Sequence, residues 1–231
     1  MSQDKNVKNP HANHRSRMRE KLFENGVEIF HDHELLEMLL FACESRRNTN
    51  DIAHALIDRF GSLHGVLTAT PDALKSVKGI GDSASSHILV VREMMRRIGE
   101  EKLDKAASFD SYDDLGKYFV SLYSMAAVEE LYVMTLDNGM RMIGCTRVCS
   151  GTVNSTPACI GGIVKEVLNK EAPNVVIAHN HPGGKLIASP EDAIMTRTIL
   201  SNLKSMGINL IDHILVAEGK YTSILHAGYG I

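Results

Sequence analysis

The chain has 231 residues, of which 44% are hydrophobic and 23% charged, with a formal net charge of −3. That is the composition of a globular protein long enough for one large or two small domains. It excludes a plainly basic nucleic-acid-binding domain, because residues 1–107 carry 16 Lys and Arg against 16 Asp and Glu, so any DNA contact must be local.

Residues 1 to about 13 are polar and read as a tail, without the apolar core of a signal peptide. A basic amphipathic helix begins at Arg15 and stops at Gly26. His31-Asp32-His33 precedes a helix over Glu34–Phe41, with Asp32 as its expected cap, and its H-x-H spacing competes for any metal assignment. A further helix covers Asp51–Phe60, capped by Asn50 or Thr49 and stopped by Gly61. The stretch from Leu74 to Ile88 then carries Lys78-Gly79-Ile80-Gly81 between two helices. Glycines there permit a tight turn whose bare N–H groups, with the next helix N-terminus, can meet a DNA phosphate. A plain αα-hairpin explains the same residues. The helix continues through Arg97, and the charged, small-residue stretch from Gly99 to Ala107 marks the expected domain boundary, giving domains 1–107 and 108–231.

Beyond it the pattern changes. A helix over Asp113–Met125 leads to a strand over Glu130–Leu136, a hairpin turn at Asp137-Asn138-Gly139 and a return strand over Met140–Val148. A helix over Gly162–Leu168 sets Ile163, Val164, Val167 and Leu168 on one face. A short β-branched strand from Asn174 runs to His181, followed by a helix over Pro190–Met206 ended by Gly207, a strand over Ile208–Val216 and a last strand near Tyr221–Ile224. Helices first, then strands and helices interleaved, give an α/β (α+β) fold: an all-helical N-terminal domain and a sheet flanked by helices. No run is long and apolar enough to span a bilayer, so no membrane partner and a cytoplasmic location are expected. Cys43, Cys145, Cys149 and Cys159 form no C-x-x-C pair and are expected to be reduced thiols.

The chemistry concentrates in Ala178-His179-Asn180-His181-Pro182-Gly183-Gly184 and Ser189-Pro190-Glu191-Asp192. Side chains alternate along a strand, so His179 and His181 leave its end on one side. Asp192 follows after a short loop, and two imidazoles with one carboxylate suit zinc with a fourth position open. Ser189, Pro190 and the acid at N3 also make a good helix start, and a first helical turn is a rigid place to hold a ligand.

H-N-H-P-G-G followed by S-x-x-D resembles the metal motif of the JAB/MPN+ (JAMM) fold, in its RadC-like bacterial branch. Gly151-Thr152-Val153-Asn154, Asp212-His213-Ile214-Leu215-Val216 and Tyr221-Thr222-Ser223 are similar to that family as well, and the likeness covers the chain from about Phe109 onward. It implies a cytidine-deaminase-like JAB/MPN sheet behind a helix-hairpin-helix domain, with Zn2+ held by His179, His181 and Asp192. It also implies a glutamate base just before the first strand, where Glu129 fits best and Glu130 is one residue of register away. Ser189 would hydrogen-bond water or the oxyanion, and His213 would either support a ligand or be an ordinary core histidine. The chain departs from the family at Ile160-Gly161-Gly162-Ile163, where a Pro-Arg-Glu-Ile segment is usual, and in the apolar loop Lys185-Leu186-Ile187-Ala188.

The activity implied is zinc-dependent hydrolysis of an amide or isopeptide bond in a protein or peptide substrate. Two rival readings follow. One is a non-catalytic factor of DNA repair or recombination with a structural zinc, touching DNA through Lys78, Gly79 and Gly81. The other is a metal-free protein-interaction module.

Overall fold

The computed structural model describes residues 13–44, 47–103, 107–109, 111–151 and 157–227. The expected tail over residues 1–12 and the Thr152-Val153-Asn154 segment lie outside them. The chain forms two compact units, Met1–Arg92 and Glu93–Ile231. The division falls inside one long helix, while the Gly99–Ala107 stretch belongs to the second unit.

The first unit is helical: α1 (His14–Asn25), α2 (Asp32–Leu40), α3 (Thr49–Phe60), α4 (Leu63–Thr68), α5 (Pro71–Lys75) and the start of α6 (Asp82–Lys102). Leu36, Leu40, Leu56, Val66, Leu74 and Ile88 form its core; burying each such side chain contributes about 1.5–3 kcal/mol. Local signals set the helix ends. Asn48, one residue earlier than expected, caps α3 by accepting from Asn50 N–H, and Gly61 closes it at φ 79°. His31, not Asp32, is the N-cap of α2: the Glu34 carboxylate accepts from His31 N–H at 2.9 Å, and Glu34 N–H donates to His31 O at 2.9 Å. The short α4, absent from the sequence reading, starts after its cap Ser62, and α5, the helix expected before Gly79, starts at Thr70-Pro71.

The second unit is a five-stranded mixed sheet in the order β2-β1-β3-β4-β5. Its strands are β1 (Glu130–Leu136), β2 (Met142–Ser150), β3 (Asn174–Asn180), β4 (Asn209–Ala217) and β5 (Lys220–Ser223). Only β3 and β4 run parallel, joined through a helix as a parallel pair requires. On one face α7 (Tyr112–Leu122) packs Leu115 and Phe119 against Tyr132, Met134, Val176 and Ile214. On the other, α8 (Pro157–Asn169) and α9 (Pro190–Ser205) pack Ile163, Val167, Met195 and Ile199 against Leu131, Val133, Val175 and Ile177. β1 and β3 are buried on both faces. The α/β class expected from the sequence is the class observed.

Three details correct the sequence reading. Cys149 at the end of β2 and Cys159 in the first turns of α8 are joined by a disulfide, with Cα atoms 5.8 Å apart. Only Cys43 and Cys145 are free thiols. The helix expected from Gly162 already starts at Pro157, and Leu168 faces outward at 53% exposure while Ile163 and Val167 are buried. The turn after β1 includes Met140, in the left-handed region at φ 57°, so the return strand starts at Met142.

Candidate metal centre

The centre lies at the end of β3. His179 pairs with Leu131 of β1 and Leu215 of β4, which fixes its side chain on the α9 face with Ile177. His181 continues past the strand, its N–H donating to Val216 O at 2.9 Å. Pro182 ends the run, and Gly183 at φ 65° turns the chain so that Gly184 N–H reaches His181 O at 3.1 Å. The chain returns at Ser189, whose Oγ accepts from Asp192 N–H at 3.1 Å while Asp192 Oδ2 accepts from Ser189 N–H at 2.7 Å. This capping box stiffens the turn that carries Asp192.

His179 Nε2 lies 3.2 Å from His181 Nε2 and 3.3 Å from Asp192 Oδ1, and His181 Nε2 lies 3.5 Å from Asp192 Oδ2. In a tetrahedral zinc site with bonds of about 2.0–2.1 Å, ligand atoms are separated by roughly 3.3–3.4 Å. The two imidazole nitrogens are spaced as two corners of such a tetrahedron, each faces a different oxygen of the Asp192 carboxylate, and one ligand atom from each of the three residues lies within 4.8 Å of the others. Among the described residues this is the only cluster of three or more such groups able to hold a metal ion. His31 and His33 stack with ring centroids 5.9 Å apart and belong to no such cluster.

Electrostatics match the geometry. Burial works to raise the Asp192 carboxyl, but its contacts with His179, His181 and Ser189 outweigh it and hold the group well below the usual carboxylate range. The hydrogen bond with Asp192 raises the His181 imidazole above its ordinary value, against the opposing effect of burial. His213 is wholly buried, and that burial pushes its imidazole well down.

A recess of roughly 410 Å³ opens on the centre, lined by Glu129, His179, His181, Pro182, Gly184, Ser189, Glu191 and Asp192. Glu129 therefore shares the space of the three ligand candidates. Glu130 does not: its carboxylate pairs with Arg147 at 2.5 Å. Asn180, between the two histidines, accepts from Glu130 N–H at 2.8 Å and donates to Val128 O at 3.1 Å. Glu129 is thus held by backbone bonds on both sides, and Gly151 N–H adds one to its own carbonyl at 2.8 Å. The sequence reading did not single out Asn180; its place between two ligand candidates on a buried strand was the available signal.

Ser189 Oγ donates to Asp192 Oδ2 at 2.7 Å, so its one proton goes to the candidate ligand. His213 Nε2 lies 2.8 Å from His179 Nδ1, and its Nδ1 lies 2.6 Å from Thr196 Oγ1. Thr196 was also missed; it stands one helical turn after Asp192 and donates to that residue's carbonyl at 2.6 Å.

The residues weighed for DNA contact sit apart from this centre in sequence and in the first unit. Gly79 has φ 103°, and a Cβ there would come within 2.7 Å of Ile52. Close packing and backbone conformation both account for that glycine. Lys75 pairs with Asp82 at 2.6 Å, while Lys78 is exposed and no Cβ contact constrains Gly81.

Residues 109–229 match the model of the RadC-like JAB domain, and residues 10–86 match the UPF0758 N-terminal family. A UPF0758 protein of Fusobacterium nucleatum is 32% identical over 222 residues, covering 93% of this chain and 96% of that protein. One from Bordetella parapertussis is 33% identical over 211 residues, covering 91% and 94%, and one from Variovorax paradoxus is 31% identical over 214 residues, covering 92% and 95%. The family match covers the sheet and the candidate centre, and the relatives span both units: the chain belongs to the RadC-like JAB family.

Proposed function

We propose that the chain is a zinc-dependent hydrolase of amide or isopeptide bonds in a protein or peptide substrate. The observation that carries this reading is the placing of Glu129 in the same recess as His179, His181 and Asp192, whose ligand atoms lie within 4.8 Å of one another. A closed structural zinc site takes four protein ligands; three, with a carboxylate beside them, suit a catalytic one. A bound zinc ion would supply a Lewis acid that polarises a carbonyl and makes water acidic near neutral pH. Glu129 would take the proton of the attacking water and hand it to the leaving nitrogen. Ser189, through its bonds to Asp192, would hold that carboxylate in place.

Zinc content, measured before and after chelation, should be close to one per chain, and His179→Ala or Asp192→Ala should abolish it. Glu129→Gln should keep zinc yet lose roughly 10²–10⁴-fold in the rate of amide cleavage, the usual value of a positioned base. Retained activity in Glu129→Gln would defeat the hydrolytic reading while leaving metal binding intact. DNA association, the rival, has weaker support: Lys75 beside its candidate turn is paired with Asp82, and Gly79 is accounted for by packing.

A further inference from the structure

We infer that Thr196 and His213 are positioning residues that lock His179 as its Nδ1–H tautomer, so that its Nε2 lone pair faces His181 and Asp192. The inference deepens the metal-centre reading above and rests on it for its functional meaning, but its geometry stands on its own.

The argument is a count of protons. A threonine hydroxyl has one hydrogen to give. Thr196 Oγ1 lies 2.6 Å from Asp192 O, and a carbonyl can only accept, so the proton goes there. At its 2.6 Å contact with His213 Nδ1 the same oxygen must therefore accept, and His213 Nδ1 carries a hydrogen. His213 is 0% exposed, and a buried imidazole with one proton on Nδ1 offers a lone pair at Nε2. That lone pair sits 2.8 Å from His179 Nδ1, which must donate. A His179 with one proton therefore carries it on Nδ1 and leaves Nε2 bare at the centre.

The chain of bonds runs one way, from His179 through His213 and Thr196 to the backbone of α9. It starts and ends at the candidate ligand set, because Asp192 offers its carboxylate to the centre and its carbonyl to Thr196. Bonds of this kind to the far nitrogen of a ligating histidine set its tautomer and ring angle, and their loss typically costs about 10–100-fold in metal affinity. His181 has its own partner, with Nδ1 3.3 Å from Lys185 O, so the two imidazoles are oriented independently.

The test uses the full chain, labelled with 15N and stripped of metal by chelator. Two-bond 1H–15N correlations should show both His179 and His213 as Nδ1–H tautomers. Zinc affinity, read by competition with a chromophoric chelator, should fall by roughly 10–100-fold in Thr196→Val and His213→Leu. His213→Gln, whose Oε1 can still accept from His179, should recover most of the loss. An Nε2–H tautomer at His179, or unchanged zinc affinity in Thr196→Val, overturns the inference. If His213→Leu does not fold, the Thr196→Val and His213→Gln pair decides. Failure of wild-type protein to bind zinc would instead overturn the metal reading, while the tautomer measurement would still judge the relay.

Discussion

Ser189 Oγ and Asp192 Oδ2 are 2.7 Å apart, and the same serine accepts from the Asp192 backbone at 3.1 Å. One pair of residues therefore starts a helix and holds a candidate metal ligand. Ser189→Ala should lose the cap, costing about 0.5–2 kcal/mol in urea unfolding of the metal-free chain. It should also weaken zinc binding, because Asp192 loses a donor that restrains it. A variant as stable and as tight as wild type would show that the serine does neither.

Protons and a bound metal would compete at His181. Its imidazole is raised in the folded protein, so its pairing with Asp192 stabilises the metal-free chain below the unfolded histidine value, and that stability is lost as pH rises through the raised one. Asp192 has the opposite sign: its carboxyl is depressed, so its contribution is present above the unfolded value and lost as pH falls. A metal needs the lone pair on His181 Nε2. Apparent zinc affinity should thus weaken by roughly tenfold per pH unit once pH drops below the raised histidine value. Chelator competition across the weakly acidic range measures this, and a flat profile would contradict the assignment of His181 as a ligand.

The Cys149–Cys159 bond closes a loop of sequence separation 10. In the chain-entropy picture a loop of that size is worth about 2–3 kcal/mol. Reduction, or Cys159→Ser, should lower unfolding stability by up to that amount. Alkylation of the unreduced, denatured protein should label two thiols, Cys43 and Cys145; four labelled thiols would contradict the bond.

At Gly79, alanine should destabilise the first unit by about 1–3 kcal/mol, since the φ is positive and the added carbon meets Ile52. Lys78→Ala should leave stability unchanged. If Lys78→Ala nonetheless abolishes a salt-dependent affinity for duplex DNA, the turn serves as a phosphate contact and the DNA-associated reading gains its observation.

Glu130→Gln should separate the two adjacent acids. It breaks the pair with Arg147 and should lower the melting temperature while keeping zinc affinity and any amide cleavage. Glu129→Gln should keep the melting temperature and the zinc affinity and lose the amide cleavage.

Much of the site was legible because its pieces are local. An apolar β-branched run ending in H-x-H, and a Ser-Pro-Glu-Asp helix start, each specify their own geometry within a few residues. What was illegible depends on partners distant in sequence. Choosing between Glu129 and Glu130 needs the alternation of β1, which a boundary one residue off reverses. The role of His213 needs the β3–β4 register, and Asn180 matters only because β1 lies beside it. The disulfide joins a strand end to a helix start through no recognisable spacing. Leu168 was misplaced because the buried stripe of α8 runs through Cys159, Ile163 and Val167, and Leu168 lies beyond its edge.

The pairing of Leu131 with His179 has a consequence for assembly. A slip of one residue between β1 and β3 would turn His179 to the α7 face and bring Asn180 to the α9 face in its place. The native register gathers both imidazoles with Asp192, so an ion held there, as proposed above, would favour this alignment of the central strands over its neighbours. Metal supply during folding would then act as a proofreader of the sheet, rewarding the correct alignment before any substrate arrives.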